Sequence, residues 1–358
     1  MTRDYSDLFP ALASKASTTR ELSKLERLGW QPFFAQQADI DLLETTPPVR
    51  VIEVHRTGLH VLGDGIDQLV PSGPDATVGD WLFLDRTQPA QSVVLERKSL
   101  IKRRAPGTDR KAQLIAANLD TAFIVTSCNQ DFNLARLERY VALAFEAEVT
   151  PAILLTKADL CDDADAYVQR VAEISDRVMV LSLNALSDAP KDKLGAWCKP
   201  GQTVGFLGSS GVGKSTLVNA LMGDNAVETA SVREDDAKGR HTTTRRQLHL
   251  SANGCNVLDT PGMRELQLTD AQDGIADVFE DISRFEGQCK FNDCQHETEP
   301  GCAILQALAD GAFSQDRLER WSKLKAEERF NSASLAQRKS GDKSLHKTIK
   351  AIQKNNRK

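Results

Sequence analysis

Long apolar runs are absent from this 358-residue sequence, and aromatic residues make up only 6% of it. No stretch of about 18 consecutive apolar residues occurs, so the chain is predicted to have no membrane-spanning helix and no membrane partner. Its first fifteen residues, MTRDYSDLFPALASK, contain neither a basic start leading into an apolar run nor a small-residue cleavage site, and we expect a cytoplasmic protein. A composition with 41% hydrophobic and 27% charged residues excludes the collagen-like, disordered and coiled-coil classes.

An excess of positive charge is also lacking, since 45 Lys and Arg stand against 50 Asp and Glu, a formal net charge of −5. Taken alone, this value argues against a nucleic-acid partner. The charge is unevenly distributed, however, because residues 97–111 carry +6 and residues 333–358 carry +7, which leaves −18 on the other 317 residues. Two basic segments on an acidic body indicate RNA contacts, although a charge run is also typical of a solvated surface.

Cysteine is scarce, with seven in the chain. Four lie in apolar segments and are interpreted as reduced core residues: Cys128, Cys161, Cys198 and Cys255. The other three form the pattern Cys289-x4-Cys294-x-His296-x5-Cys302 within polar surroundings. Three thiols and one imidazole at this spacing predict a closed tetrahedral shell for one structural Zn²⁺, and a redox thiol cluster is the alternative.

The N-terminal part of the chain has the sequence pattern of a small β-barrel. Five short apolar runs lie between Val49 and Leu100, separated by turn residues. This spacing favours an OB-like, RNA-binding barrel over residues 41–112, and a β-rich subdomain without a ligand fits it equally well. Residues 1–40 are polar and helix-leaning, and we predict a helical appendage there.

Residues 113–275 alternate apolar β-rich runs with helical segments, which predicts a parallel sheet covered on both faces. One run, TVGFL, leads directly into Gly208-Ser209-Ser210-Gly211-Val212-Gly213-Lys214-Ser215-Thr216 and then into a helical segment. This is a P-loop in its strand–loop–helix context, in which backbone N–H groups bind phosphates. Lys214 is expected to reach the β- and γ-phosphates and Ser215 to ligate Mg²⁺.

Two polar segments after the P-loop are predicted nucleotide switches. The first is GRHTTTR at residues 239–245, where Thr243 or Thr244 is expected to cap Mg²⁺ and the γ-phosphate; the spacing does not decide which. The second is DTPG at residues 259–262, where Asp259 would hold Mg²⁺ through a water and Gly262 would offer its N–H to the γ-phosphate.

No glutamine follows the second switch to orient the attacking water. Met263 occupies that position, and a thioether cannot orient water, so slow hydrolysis by the isolated protein is expected. His241 in the first switch is the nearest polar candidate for this catalytic role. The alternative for His241 is a solvated loop histidine.

The predicted base-binding motif precedes the P-loop in the sequence. The run PAILL ends in Thr156-Lys157-Ala158-Asp159, and the next strand ends at Ser182. An Asp carboxylate accepts from guanine N1–H and N2–H₂, a donor pair that adenine lacks, so Asp159 predicts GTP. An ATP-dependent enzyme remains an alternative only if Asp159 lies outside the site. Thr156 stands where Ras-like GTPases have Asn, which leaves guanine selection mostly to Asp159.

This motif order is that of a circularly permuted GTPase, and the length predicts two or three domains. The predicted fold is α/β, with an N-terminal OB-like β-barrel, a central circularly permuted Ras-like P-loop GTPase domain and a C-terminal helical zinc-binding domain. We place the zinc-binding domain at residues 276–332 and a basic tail at residues 333–358.

On these motifs the chain resembles the RsgA (YjeQ) family of circularly permuted GTPases, from about residue 30 to 330. The motifs are RKSLIKR with Gln113-x-x-Ala116-Ala117-Asn118-x-Asp120, then TKAD, GSSGVGKST, GRHTTT, DTPG and CKFNDCQHETEPGC. The resemblance implies ribosome-stimulated GTP hydrolysis and a late maturation role on the small ribosomal subunit. It also implies rRNA contacts from the barrel and the zinc-binding domain.

The sequence therefore predicts a GTP hydrolase that is slow alone, is activated by the small (30S) subunit and times its own release. The expected partners are that subunit, its rRNA and GTP or GDP, with one structural Zn²⁺ and with Mg²⁺ bound beside GTP; we expect a monomer. The candidate RNA-binding residues are Arg97, Lys98, Lys102, Arg103, Arg104, Arg110 and Lys111. The alternative is a GTP-gated RNA-binding or translation-regulatory module in which hydrolysis is incidental.

Overall fold

A computed structural model describes residues 21–104, 112–187, 189–223, 246–259 and 270–332. The chain divides into two compact units, residues 1–266 and 267–358. Within the described ranges, every helix is too short or too polar to cross a bilayer.

Five antiparallel strands form where the five apolar runs predicted them. They are β1 (Pro48–Val54), β2 (Gly58–Gly63), β3 (Ile66–Pro71), β4 (Trp81–Phe83) and β5 (Val93–Val94). Strand β1 pairs with β2 and with β4, β2 pairs with β3, and β4 pairs with β5. Alternate side chains of these strands pack into one apolar cluster, because successive residues of a strand point to opposite faces; its members include Val49, Val51, Val61, Val70, Leu82 and Leu84.

Two short helices before β1 pack against the barrel strands. Helix α1 (Lys24–Arg27) begins with a capping box between Ser23 and Glu26, and α2 (Pro32–Ala35) has Pro at its first position. The Trp30 ring lies edge-on to Trp81 of β4 with 4.8 Å between centroids. Trp30 and Trp81 are both almost fully buried, so the described part of the predicted N-terminal appendage contributes to the core.

An antiparallel hairpin follows the barrel strands. It consists of β6 (Leu100–Arg104) and β7 (Ala112–Ala117), paired so that Arg103 lies opposite Gln113 and Lys102 opposite Leu114. The sequence analysis did not predict these strands, because the alanine-rich AQLIAA lacks the alternation and the β-branched residues that mark a strand. The hairpin places Lys102 and Arg103 of the first basic segment on regular backbone.

The central sheet has six strands in the order β10-β9-β8-β11-β13-β12. Their bounds are β8 (Thr121–Ser127), β9 (Thr150–Thr156), β10 (Met179–Ser182), β11 (Thr203–Gly208), β12 (Gln247–Leu250) and β13 (Asn256–Asp259). The first five in this order are parallel, and β12 runs antiparallel to β13. The described helices of this region are α3 (Leu134–Glu146), α4 (Ala164–Ala172), α5 (Ala189–Leu194) and α6 (Lys214–Met222).

This strand order confirms the predicted permutation. Strands β8 to β10 precede β11 in the sequence, yet β8 lies beside β11 in the sheet. The sheet also continues into the barrel, because Gln247 of β12 pairs with Glu53 of β1. The barrel and the P-loop domain therefore share one hydrogen-bonded sheet.

The second compact unit is helical in its described part. It contains α7 (Gln272–Val278), α8 (Glu280–Ser283), α9 (Ala303–Ala309) and α10 (Gln315–Ser332). Arg317 of α10 forms an ion pair with Asp281 of α8 at 2.7 Å, and its guanidinium lies over the Phe279 ring. These contacts fix α10 against α8, while its apolar face buries Leu318, Trp321 and Leu324.

A buried arginine joins the parts of the first unit. The Arg50 side chain on β1 is 1% exposed, and its guanidinium donates to four oxygen acceptors from separate segments. They are the carbonyls of Leu28, Gly79 and Asn118 and, at 2.9 Å, the hydroxyl of Thr203 at the start of β11. Burial lowers the pKa of Arg50 to about 10, so the guanidinium is still charged at neutral pH.

Two residues of the motif quoted for the family resemblance complete this junction. Asn118 accepts from the Lys98 backbone N–H at 2.9 Å and donates to the Gly79 carbonyl at 3.0 Å. Asp120 accepts from Lys98 Nζ at 3.2 Å and from the Thr203 N–H at 2.8 Å. These side chains therefore hold the barrel against the N-terminal end of the P-loop strand.

We predict that Arg50→Met destabilises the protein by about 3–5 kcal/mol, because it leaves several buried acceptors without a donor. The measurement is urea unfolding followed by tryptophan fluorescence. Arg56→Met is the matched control, since Arg56 is exposed in the turn after β1 and should change stability by no more than about 0.5 kcal/mol. Equal stability of the two variants would contradict the role of Arg50 as the junction.

Candidate functional site

The P-loop lies between β11 and α6, as the motif predicted. Strand β11 is buried throughout, whereas Ser210, Gly211 and Ser215 are exposed at the loop and the helix start. Gly213 is the N-cap of α6 with φ 94°, a left-handed conformation that glycine adopts without steric cost. The loop thus presents accessible backbone N–H groups at a helix N-terminus, the arrangement that binds phosphate.

The first and last residues of the P-loop are fixed by close contacts. A Cβ at Gly208 would lie 2.2 Å from the Val125 carbonyl oxygen, so only glycine fits beside β8. Lys214 Nζ donates to the Gly208 carbonyl at 2.8 Å and also to the Ser209 carbonyl. These bonds place the Lys214 ammonium across the loop, where it can meet a phosphate bound there.

The predicted base motif follows β9 directly. Thr156 is fully buried, and its hydroxyl lies 2.7 Å from the Val212 carbonyl of the P-loop and 3.1 Å from the Thr126 carbonyl of β8. A hydroxyl has one hydrogen, so the shorter contact is the favoured bond. Lys157 then adopts φ 57°, and Asp159 lies exposed in the 3-10 turn Ala158–Leu160. Thr156 therefore ties the base motif to the phosphate loop.

A third loop, which follows β10, lies beside the P-loop and the base motif. Ser182 ends β10 beside Leu155 of β9, and its carbonyl accepts from Lys193 Nζ at 2.6 Å. Ala185, three residues later, lies near Gly213, since a Cβ at Gly213 would be 3.7 Å from side-chain atoms of both Ala185 and Thr156. The structure thus brings the P-loop, the base motif and the loop after Ser182 together at the C-terminal ends of parallel strands, where ligands bind in such sheets.

One residue at this site was missed by the sequence analysis. Arg136, in the first turn of α3, donates to the Ser209 hydroxyl of the P-loop. Only the position of α3 after β8 could have suggested it, and an arginine in a first helical turn is too common to stand out. It adds a second cation beside the residue whose carbonyl Lys214 contacts.

Several predicted residues lie outside the described ranges. They are His241, Thr243, Thr244 and Gly262 of the switches and Arg110 and Lys111 of the first basic segment, together with the tail at 333–358. Asp259 ends β13 opposite Gln247, and Arg104 ends β6; only their backbones are described. Their roles stay predictions.

The cysteine and histidine cluster predicted in the C-terminal part is present. The ligand atoms of Cys289, Cys294, His296 and Cys302 all lie within 4.8 Å of one another. Cys289 Sγ is 3.8 Å from Cys302 Sγ, and His296 Nδ1 is 3.5 and 3.4 Å from these two sulfurs. A tetrahedral metal with bonds of about 2.3 Å to sulfur and about 2.0–2.1 Å to nitrogen separates such atoms by about 3.8 and 3.6 Å. The cluster could therefore hold a metal ion, and the separations among Cys289, His296 and Cys302 are close to those of a tetrahedral shell.

Backbone hydrogen bonds organise the loop around this cluster. The Glu299 carboxylate accepts from the N–H groups of Gln295, Glu297 and Thr298 at 2.8, 2.9 and 3.0 Å, and these bonds lower its pKa to about 2. The Leu305 N–H donates to Cys302 Sγ at 3.4 Å, which fixes the position of this sulfur at the start of α9. Desolvation raises the pKa of the neighbouring Cys294 to about 11, so a metal would displace its proton.

Comparison with known proteins agrees with this geometry. Residues 94–269 match the family model described as RsgA GTPase. The chain is 45% identical to the small ribosomal subunit biogenesis GTPase RsgA 2 of Vibrio parahaemolyticus, over 93% of this chain and 94% of the relative. It is 47% identical to the RsgA of Mesorhizobium japonicum, over 88% and 93%. This chain belongs to the RsgA GTPase family.

Solved structures show the same fold. YjeQ from Thermotoga maritima superposes with a TM-score of 0.56 at 24% identity, covering 77% of this chain and 96% of that one. YloQ, described as a circularly permuted GTPase, gives 0.54 at 24% identity, covering 83% and 100%. As an RsgA GTPase the chain is a GTP-hydrolysing enzyme, which accounts for a P-loop preceded by a base motif.

The candidate RNA-binding residues whose side chains are described fall into two groups. Arg97 pairs with the fully buried Asp80 at 2.7 Å, and Lys98 pairs with Asp120, so both charges are paired with acidic side chains of the same unit. Lys102 and Arg103 lie half-buried on the β6–β7 hairpin, where Arg103 Nε donates to Gln113 at 3.0 Å. An RNA-binding role remains a prediction for all four.

The buried threonine of the base motif gives a direct test. We predict that Thr156→Val weakens GTP and GDP binding equally, about five- to tenfold, because the Val212 carbonyl loses its donor while the side-chain shape is kept. The measurement is titration with fluorescent GTP and GDP analogues. Thr156→Ser should restore affinity, and Thr150→Val, at the exposed start of the same strand, is the control. Wild-type nucleotide affinity in Thr156→Val would contradict a role for the Thr156–Val212 hydrogen bond in nucleotide binding.

Proposed function

We propose that this protein hydrolyses GTP on the small ribosomal subunit during its late maturation, and that hydrolysis times its release. The observation that carries this proposal is the meeting of the P-loop and the Thr156–Asp159 motif at one sheet edge, in a chain whose relatives at 45–47% identity are named small ribosomal subunit biogenesis GTPases. A cytoplasmic location and a monomeric state belong to the same proposal.

The P-loop and base motif divide the recognition of GTP between them. Backbone N–H groups from Gly208 to Thr216 bind the phosphates, with the Lys214 ammonium on the β- and γ-phosphates. The Asp159 carboxylate selects guanine by accepting from N1–H and N2–H₂. Asp159 is exposed in the 3-10 turn Ala158–Leu160, which leaves its carboxylate accessible to an incoming base.

Magnesium and the switch residues complete the proposed catalytic site. Ser215 at the start of α6 and Asp259 at the end of β13 would hold Mg²⁺, which neutralises charge on the phosphates. We assign capping of the γ-phosphate to Thr243 or Thr244 and to the Gly262 N–H, and orientation of the water to His241. Met263 cannot perform the last role, so activation by the subunit is part of the mechanism.

Zinc is the metal we propose for the cysteine–histidine cluster. Three thiolates and one imidazole are the donor set of structural zinc sites, and the sulfur and nitrogen separations fit a tetrahedral shell. With four protein ligands the shell is closed, so the ion has a structural role. It would hold the loop before α9 in place to contact rRNA.

We propose that rRNA binds the β6–β7 hairpin and the basic tail. Lys102 and Arg103 are the candidates with described side chains, and Arg104, Arg110 and Lys111 are the candidates that follow them in the sequence. Phosphate contacts release counterions, so subunit affinity should fall steeply with salt.

GTP turnover with and without purified small subunits tests the proposal. The turnover rate should rise by an order of magnitude or more with small subunits and not with large subunits, because Met263 stands where a glutamine would orient the water and the site therefore needs activation by the subunit. Lys214→Met is the control, since loss of the phosphate contact should abolish both rates. A turnover rate unchanged by small subunits would refute the proposed function.

Metal removal tests the zinc assignment. The purified protein should contain one zinc per chain by atomic emission, and Cys302→Ser should lose it because three ligands no longer close the shell. Limited proteolysis should then cut within residues 267–332 while GTP affinity is retained. Cys161→Ser, outside the cluster, is the matched control. A full equivalent of zinc in Cys302→Ser would contradict the four-ligand site.

A further inference from the structure

The arginine of α3 that contacts the P-loop is held in place by its own helix. Asn133, the N-cap of α3, accepts from the Arg136 backbone N–H at 2.9 Å. The following turns bury Leu137 and Tyr140, so the start of the helix is fixed against the sheet. The half-buried Arg136 side chain extends from this rigid turn to the Ser209 hydroxyl.

The charge of Arg136 has no acidic partner among the residues that the structure describes. Neighbouring parts of the same unit pair their cations with carboxylates, as Arg97 does with Asp80. The described side-chain contact of Arg136 is with a neutral hydroxyl instead. A guanidinium has five N–H donors in a planar fork that matches phosphate oxygens. A half-buried guanidinium of this kind is suited to an anionic ligand.

The two ends of the P-loop face different parts of the nucleotide. The end of the loop lies against the base motif, because the Val212 carbonyl accepts from the Thr156 hydroxyl at 2.7 Å. The start of the loop holds Lys214, whose Nζ donates to the carbonyls of Gly208 and Ser209. The Lys214 ammonium is the group assigned to the β- and γ-phosphates. Ser209 therefore marks the end of the loop that is farther from the base.

We propose that Arg136, bound to Ser209, raises the affinity of the site for GTP relative to GDP. Arg136 and Lys214 contact the same residue, so the guanidinium adds a second positive charge at this end of the loop. GTP places one more phosphate there than GDP does, so its Coulomb attraction to Arg136 is larger. The inference rests on the proposed assignment of Lys214 to the phosphates.

The same charge gives Arg136 a role after hydrolysis. Once the γ-phosphate has left, less negative charge faces Arg136, and its attraction for the bound nucleotide falls. Arg136 then contributes less to the binding of the product than to the binding of the substrate. The difference favours replacement of GDP by GTP, which a protein that acts in repeated cycles on small subunits requires.

The test is titration of the isolated, nucleotide-free protein with fluorescent GDP and with a fluorescent non-hydrolysable GTP analogue at low salt. We expect Arg136→Gln, which keeps an N–H donor for Ser209 but removes the charge, to weaken binding of the GTP analogue about tenfold and of GDP no more than about twofold. Arg136→Lys keeps the charge and should keep the affinity ratio. Arg86→Gln is the matched control, since Arg86 is an exposed arginine in the loop between β4 and β5.

Two further measurements separate the charge of Arg136 from a structural role. Ser209→Ala removes the hydroxyl but leaves the charge, so it should lower the two affinities together and preserve their ratio. The difference between the wild type and Arg136→Gln should shrink as salt is raised, because ions screen the attraction. A ratio that falls in Ser209→Ala as far as in Arg136→Gln, or a difference that salt leaves unchanged, would overturn the inference.

The outcomes distinguish this inference from the proposed function. GTP turnover that small subunits leave unchanged refutes the proposed function, whereas the affinity ratio is measured on the isolated protein. Equal losses of GTP and GDP affinity in Arg136→Gln, or wild-type affinity for both, overturn the inference even when small subunits stimulate turnover normally.

Discussion

The buried guanidinium of Arg50 is the interaction on which the rest of the first unit depends. A charged group in the interior is stable only when its donors are satisfied, and here the acceptors come from four separate segments. One of them is Thr203, the first residue of the strand that carries the P-loop. The barrel and the nucleotide site therefore cannot shift independently at this junction.

Circular permutation explains why such a junction is needed. Permutation preserves the neighbours in a sheet but moves the chain ends, so the P-loop strand β11 begins next to the barrel junction instead of at a free N-terminus. The same permutation places β12 beside the barrel strand β1, through Gln247 and Glu53. Residues of β1 in the barrel therefore contact both the start of β11, through Arg50 and Thr203, and the strand β12 that follows the first switch.

The sequence predicted the elements that have local rules. The P-loop, the cysteine–histidine cluster and the five barrel strands follow from glycine positions, ligand spacing and alternation, and each is present. The hairpin β6–β7 was missed because its strands are alanine-rich and basic. The contacts of Thr156, Arg136 and Arg50 could not be predicted, because they join residues 22 to 153 positions apart and depend on how the sheet brings them together.

Net charge was the least informative property, and the structure shows why. Asp80 and Asp120 form ion pairs with Arg97 and Lys98, so part of the first basic segment balances nearby acidic charge. Lys102 and Arg103 of the same segment lie on the β6–β7 hairpin, where Arg246 from outside the segment donates to the Leu114 carbonyl of β7. A charged partner is selected by the electric field of the charges that lie near each other in the folded protein. Residues distant in sequence contribute to that field as much as a run of basic residues does.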